Sequence, residues 1–80
     1  MQQLEFTIEP FVEGNPGPHV VAAVAAVEEL GVTVEFGPFG SSCRAEPALM
    51  TEIVAAVTRA AFDHGATHVS MHVAVVKADS

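Results

Sequence analysis

Leu4, Phe6 and Ile8 alternate with Glu5, Thr7 and Glu9, a period of two that puts one set of side chains on each face of a strand. A first strand is expected over residues 3–12. The turn formers Glu13-Gly14-Asn15-Pro16-Gly17-Pro18 follow, with two prolines fixing φ and two glycines allowing sharp bends. Pro18 suits the first position of a helix, where a backbone N–H has no partner to lose. Val20, Val24 and Val27 then recur at helical spacing, and Gly31 stands where a left-handed residue closes a helix, so the spacing predicts a helix over 18–30.

Val32, Val34 and Phe36 alternate with Thr33 and Glu35 in a second strand, whose parity sends Phe36 to the core. Gly37-Pro38-Phe39-Gly40 reads as a hairpin connection into a third strand over 40–45. Pro47 opens a second helix in which Leu49, Ile53, Val57 and Ala60 share a stripe beside Met50, Val54 and Ala61, ending at Gly65. In the last strand Val69, Met71, Val73 and Val75 alternate with His68, Ser70, His72 and Ala74.

Strand, helix, strand, strand, helix, strand is the α+β ferredoxin-like βαββαβ order. One domain spanning 1–80 is expected: a four-stranded antiparallel sheet with two helices on one face, strands one and three central and strand four beside strand one. The other face is then bare, displaying Glu5, Thr7 and Glu9, Thr33 and Glu35, and His68, Ser70 and His72. Carboxylates and imidazoles face each other there across adjacent strands. A solvated or interface face, ligand contacts, and catalysis or metal binding all remain open readings of it. Within one strand, His68 and His72 stand about 13 Å apart at about 3.3 Å per residue, too far for an easily shared Zn²⁺ held by bonds of about 2.0–2.1 Å. A Glu–His pair could move protons, but no nucleophile or cofactor motif accompanies it. His19 and His64 read as surface residues, the latter near the negative end of a helix dipole.

Composition adds a surplus. Half of the 80 residues are hydrophobic and only 16% are charged, with mean hydropathy +0.40, yet a chain this short buries only about 60% of its unfolded surface. The longest aliphatic run, Val20 to Val27, is far short of the roughly 20 residues that cross a bilayer, so no membrane partner is expected. Self-association to a dimer or tetramer is the remaining outlet, aided by the Val21-Ala22-Ala25-Ala26 face of helix one. Three Lys+Arg against ten Asp+Glu give a net charge of −7, which disfavours nucleic acid and favours a cationic ligand. Met1-Gln2-Gln3-Leu4-Glu5 lacks the positive and apolar regions of a secretory signal, so a cytoplasmic location is expected. The lone Cys43 reads as a buried structural thiol.

The loop over 13–19 offers backbone N–H groups at a helix start but lacks a Gly-Lys-Ser/Thr ending, and so reads as a plain connection. Phe11 and Phe39 lie where the alternation fails. They either staple the turn to the core or wall a pocket for a flat ring, with Ser41 and Ser42 as orienting hydroxyls.

Glu5-Phe6-Thr7-Ile8-Glu9-Pro10-Phe11-Val12-Glu13-Gly14, Pro16-Gly17-Pro18-His19-Val20 and Val34-Glu35-Phe36-Gly37-Pro38-Phe39-Gly40-Ser41-Ser42 together resemble the small thiamine-binding protein family over nearly the whole chain. The resemblance implies non-enzymatic binding of thiamine or its hydroxymethylpyrimidine moiety in a homo-oligomer whose sheets associate, with thiamine as bound ligand and no further cofactor. Thiamine joins a thiazolium cation to an aminopyrimidine, so it wants a carboxylate, a ring and hydroxyls. Glu9, Phe11, Phe39, Ser41 and Ser42, with His72 on the open face, are the ligand-binding candidates, and no catalytic or metal-binding residue is expected. Two alternatives stand beside this reading. One is a small enzyme of the dimeric α+β barrel type using Glu9 or His72 as an acid/base pair, and the other is a ligand-sensing interaction module.

Overall fold

The computed structural model describes residues 1–11, 14–37 and 40–77. Its elements run β1 (Gln2–Glu9), α1 (Pro18–Glu29), β2 (Glu35–Gly37), β3 (Gly40–Ala45), α2 (Pro47–Asp63) and β4 (His68–Val75). The sheet order is β2-β3-β1-β4 with every neighbour antiparallel. This is the expected α+β ferredoxin-like arrangement, with strands one and three central.

The alternation of β1 carries straight into the packing. Leu4, Phe6 and Ile8 are buried while Glu5, Thr7 and Glu9 are exposed. Those three side chains share one core with Ala23, Val24 and Val27 of α1 and Met50, Ile53, Val57 and Ala61 of α2, which fixes both helices on the same face. Leu4, Val27, Ile53 and Val57 are fully enclosed. Both helices begin at a proline, as a residue without an N–H should. Among the described residues no helix is long and apolar enough to cross a membrane.

Two strands are shorter than their hydrophobic pattern. β1 pairs as far as Glu9 opposite His68 and ends before Pro10, which has no N–H for a ladder; Val12 of the expected 3–12 strand lies outside the described residues. β2 spans three residues rather than 32–36. Val34 is drawn into the core, and the ladder with β3 begins only at Glu35 opposite Ser42. A cleft of about 630 Å³ separates Gly31, Val32 and Thr33 from Cys43 and Arg44.

Phe36 corrects the parity argument. Its partner Ser41 lies opposite buried Phe6, so Phe36 does belong to the helix side, yet it is 68% exposed. Val75, at the other edge, is 77% exposed. Both residues stand on the outer strands of the sheet, where each has a neighbouring strand on one side only.

His19, expected at the surface, is 7% exposed. Its ring lies over Gly17, where an added Cβ would come within 2.5 Å of Cε1. A carbonyl only accepts, so Nε2–H donates to the Pro10 oxygen, 2.6 Å away. The imidazole thus clasps the exit of β1 to the start of α1.

Candidate functional site

The ladder registers arrange the uncovered face in rows that cross the strands. One row is Glu35, Ser42, Glu5 and His72, from β2 to β4. The next is Gly37, Gly40, Thr7 and Ser70: Gly37 pairs with Gly40 and Thr7 with Ser70, while a Cβ on Gly40 would fall 2.8 Å from both Thr7 Cγ2 and the Phe6 oxygen. A third row holds Glu9 and His68. Rows on one face lie about 6.7 Å apart, two residues along a strand.

A depression of about 440 Å³ occupies the first two rows, bordered by Glu5, Thr7, Ser42, Ser70 and His72, with Phe6, Ser41 and Met71 beneath its rim and the two glycines completing it. Its origin is chemical. Two of four positions in the middle row carry no side chain, so a stretch of backbone lies bare between taller neighbours. Gly40 is required by the fold itself, because its φ of +150° and its approach to Phe6 exclude a Cβ.

Glu5 is held from below. Arg44 Nε donates to Gln3 Oε1 at 2.9 Å, and Gln3 Nε2 donates to Glu5 Oε1 at 3.1 Å. The arginine fixes which end of the amide is oxygen, and the amide then presents its N–H to the carboxylate. One oxygen of Glu5 is thereby engaged, and a carboxylate has a second.

The site candidates separate. Ser42 and His72 border the depression together. Ser41 also borders it, but is buried and shares its register with Phe6 on the helix side. Glu9 belongs to the other end of β1. His68 Nδ1 lies 3.5 Å from Glu9 Oε2 and 3.0 Å from Thr67 Oγ1, while the Glu9 backbone oxygen accepts from Thr67 N at 2.8 Å. With both side chains more than 60% exposed, this pair clips the strand ends together and contributes little energy. Glu9 and His72 are accordingly not a pair, since their ladder partners are His68 and Glu5. Phe11 is 65% exposed, and Phe39 lies outside the described residues.

Glu5, Gln3, Arg44 and the glycines escaped the sequence-derived candidates. The signal for Glu5 was its parity with Glu9 and its place opposite His72. For the glycines it was the register that sets Gly37 and Gly40 side by side. Cys43, buried as expected, has its thiol pushed above the ordinary cysteine value by desolvation, which keeps it protonated and unreactive.

No protein-family model matches the chain, and no curated protein matches it. Among solved structures, a domain of unknown function, DUF77, from Bacillus cereus matches with a TM-score of 0.54 at 21% identity, over 91% of this chain and 71% of that one. Protein SP2199 from Streptococcus pneumoniae matches with a TM-score of 0.57 at 18% identity, over 98% of this chain and 87% of that one. At these identities the likeness establishes the ferredoxin-like fold of the chain.

Proposed function

We propose that the protein binds thiamine or its hydroxymethylpyrimidine moiety on the open face of its sheet, without converting it. The observation that supports this most directly is the depression beside Glu5, whose carboxylate is oriented through Gln3 and Arg44. A carboxylate held at the rim of a shallow trough, with the Ser42 hydroxyl and the His72 imidazole in the same row, suits an aminopyrimidine joined to a cationic ring. The net charge of −7 attracts the thiazolium and repels phosphate. The sequence resemblance points to the same ligand. Glu5 replaces Glu9 as the carboxylate assigned to the ligand.

Self-association belongs to this reading. β4 is an edge strand of eight residues with no Lys, Pro or carboxylate in His68–Val75 to discourage a second strand, and Val73 and Val75 are exposed along it. A cytoplasmic homo-oligomer, a dimer or a homotetramer, is the assembly we assign.

Titration calorimetry of the full chain with thiamine, hydroxymethylpyrimidine and thiamine diphosphate tests the reading. Binding of thiamine at least tenfold tighter than the diphosphate, with loss of affinity in Glu5→Gln, is expected. Equal or tighter binding of the diphosphate, or no heat with thiamine or the pyrimidine, overturns it.

A further inference from the structure

We propose that Gly37 and Gly40 form a bare-backbone seat on which a planar ligand ring lies face-on, parallel to the sheet, and that Gly37 sets the preference for flat rings. This inference rests on the ligand reading above and adds how the ring is held.

The two glycines stand side by side at the end of the β2–β3 ladder, and Thr7 and Ser70 extend the same row with short side chains. Among the described residues, a ring laid on the glycine half of this row meets peptide planes rather than side chains, the close backbone approach for which glycine is suited. Its edge then faces the neighbouring row about 6.7 Å along the strands, where Ser42 and Glu5 can meet its N–H groups in the ring plane. An acyclic cation gains the carboxylate but not the seat.

The two glycines differ in what the fold asks of them. At Gly40 the φ of +150° and the 2.8 Å approach to the Phe6 oxygen rule out any other residue. Gly37 has no positive φ, and among the described residues a Cβ there would meet the Gly40 oxygen at 3.3 Å, a tight contact that asks for a shift of a few tenths of an ångström rather than a change of backbone conformation. Glycine within a strand is otherwise unfavourable. The φ at residue 37 does not demand glycine as that of Gly40 does, and the side chain missing there helps to leave the trough open.

The test compares wild type, Gly37→Ala and Gly37→Val in calorimetry with thiamine and with choline, an acyclic cation, and follows the wild-type amides of Gly37 and Gly40 by ¹⁵N–¹H spectroscopy as thiamine is added. Stepwise loss of thiamine affinity from Ala to Val, at least tenfold at Val, with choline unchanged and with ring-current shifts at both glycine amides, is the expected result. Undiminished thiamine binding in Gly37→Val, or binding to wild type that leaves both amides unmoved, overturns the seat while the ligand reading stands. Failure of wild type to bind thiamine or the free pyrimidine overturns both. If Gly37→Val does not fold, the wild-type amide shifts decide.

Discussion

Arg44 and Gln3 face each other across the β1–β3 ladder and are joined by a 2.9 Å hydrogen bond from Nε to Oε1, so the arginine acts on Glu5 without touching it. All three residues lie on the open face, outside the core. Replacing Arg44 by Met therefore removes an exposed hydrogen bond of about 0.5–1.5 kcal/mol and frees the Gln3 amide to turn. We expect thiamine affinity to fall a few-fold and the thermal midpoint to fall by no more than several degrees. Equal affinity in Arg44→Met and wild type removes the relay from the account of the site.

Glu9 and His68 supply the contrast. Their contact closes the end of the β1–β4 ladder, away from the depression. Glu9→Gln is expected to leave thiamine affinity within about twofold of wild type, since Glu9 does not line the depression, and to cost no more than about 1 kcal/mol of stability. A loss comparable to that of Glu5→Gln would return Glu9 to the ligand.

The His19 clasp should be visible as stability. His19→Ala leaves the Pro10 oxygen without its donor and opens a gap over Gly17, so a loss of about 1–3 kcal/mol in urea unfolding is expected. Gly17→Ala should be destabilising too, because its methyl group collides with the imidazole. The two substitutions disrupt one contact, and their effects should combine to less than their sum.

Cys43 gives a pH prediction of definite sign. Its folded-state pKa is raised by burial, so the folded protein holds this proton more tightly than the unfolded chain does. The associated stability is complete below the ordinary cysteine value of about 8.5 and is lost as pH rises toward the folded-state value. Denaturant midpoints should fall above about pH 9 in wild type more than in Cys43→Ala. Native protein should react slowly with a thiol reagent, and unfolded protein at once.

The proposed assembly runs through the edge of β4. Wild type is expected to scatter light as a dimer or tetramer, and Val75→Lys to shift toward the 8.3 kDa monomer, since a lysine on an edge strand disfavours pairing with another chain. A wild-type monomer at all concentrations contradicts the proposed assembly.

Much of the fold was legible because two strands keep strict parity. The Leu4-Phe6-Ile8 alternation and the His68–Val75 alternation fix which face each β-residue takes, and the prolines at 18 and 47 mark both helix starts. Residues that depend on distant neighbours were less legible. Phe36 keeps its parity but sits on the edge strand β2, outside the core, a strand position that no local pattern encodes. His19 lies over Gly17 and donates to the Pro10 oxygen nine residues away, a contact that no local pattern encodes. Ser41 and Ser42 read alike as hydroxyls until the β1 register gives one to the core and the other to the open face. The glycines read as bend formers, and only the β2–β3–β1 register shows that they also strip side chains from the sheet.

The shortness of β2 has a dynamic consequence. Three ladder positions tie it to β3, while β3 is tied to β1 over five and β1 to β4 over eight. Local opening begins where the fewest contacts hold, so this hairpin arm should exchange its amide protons ahead of the other strands. Gly37 belongs to that arm. A ligand resting on it would also hold down the least secured part of the sheet, and occupancy of the site would then be readable as slowed hydrogen exchange in a strand that makes almost no contribution to the core.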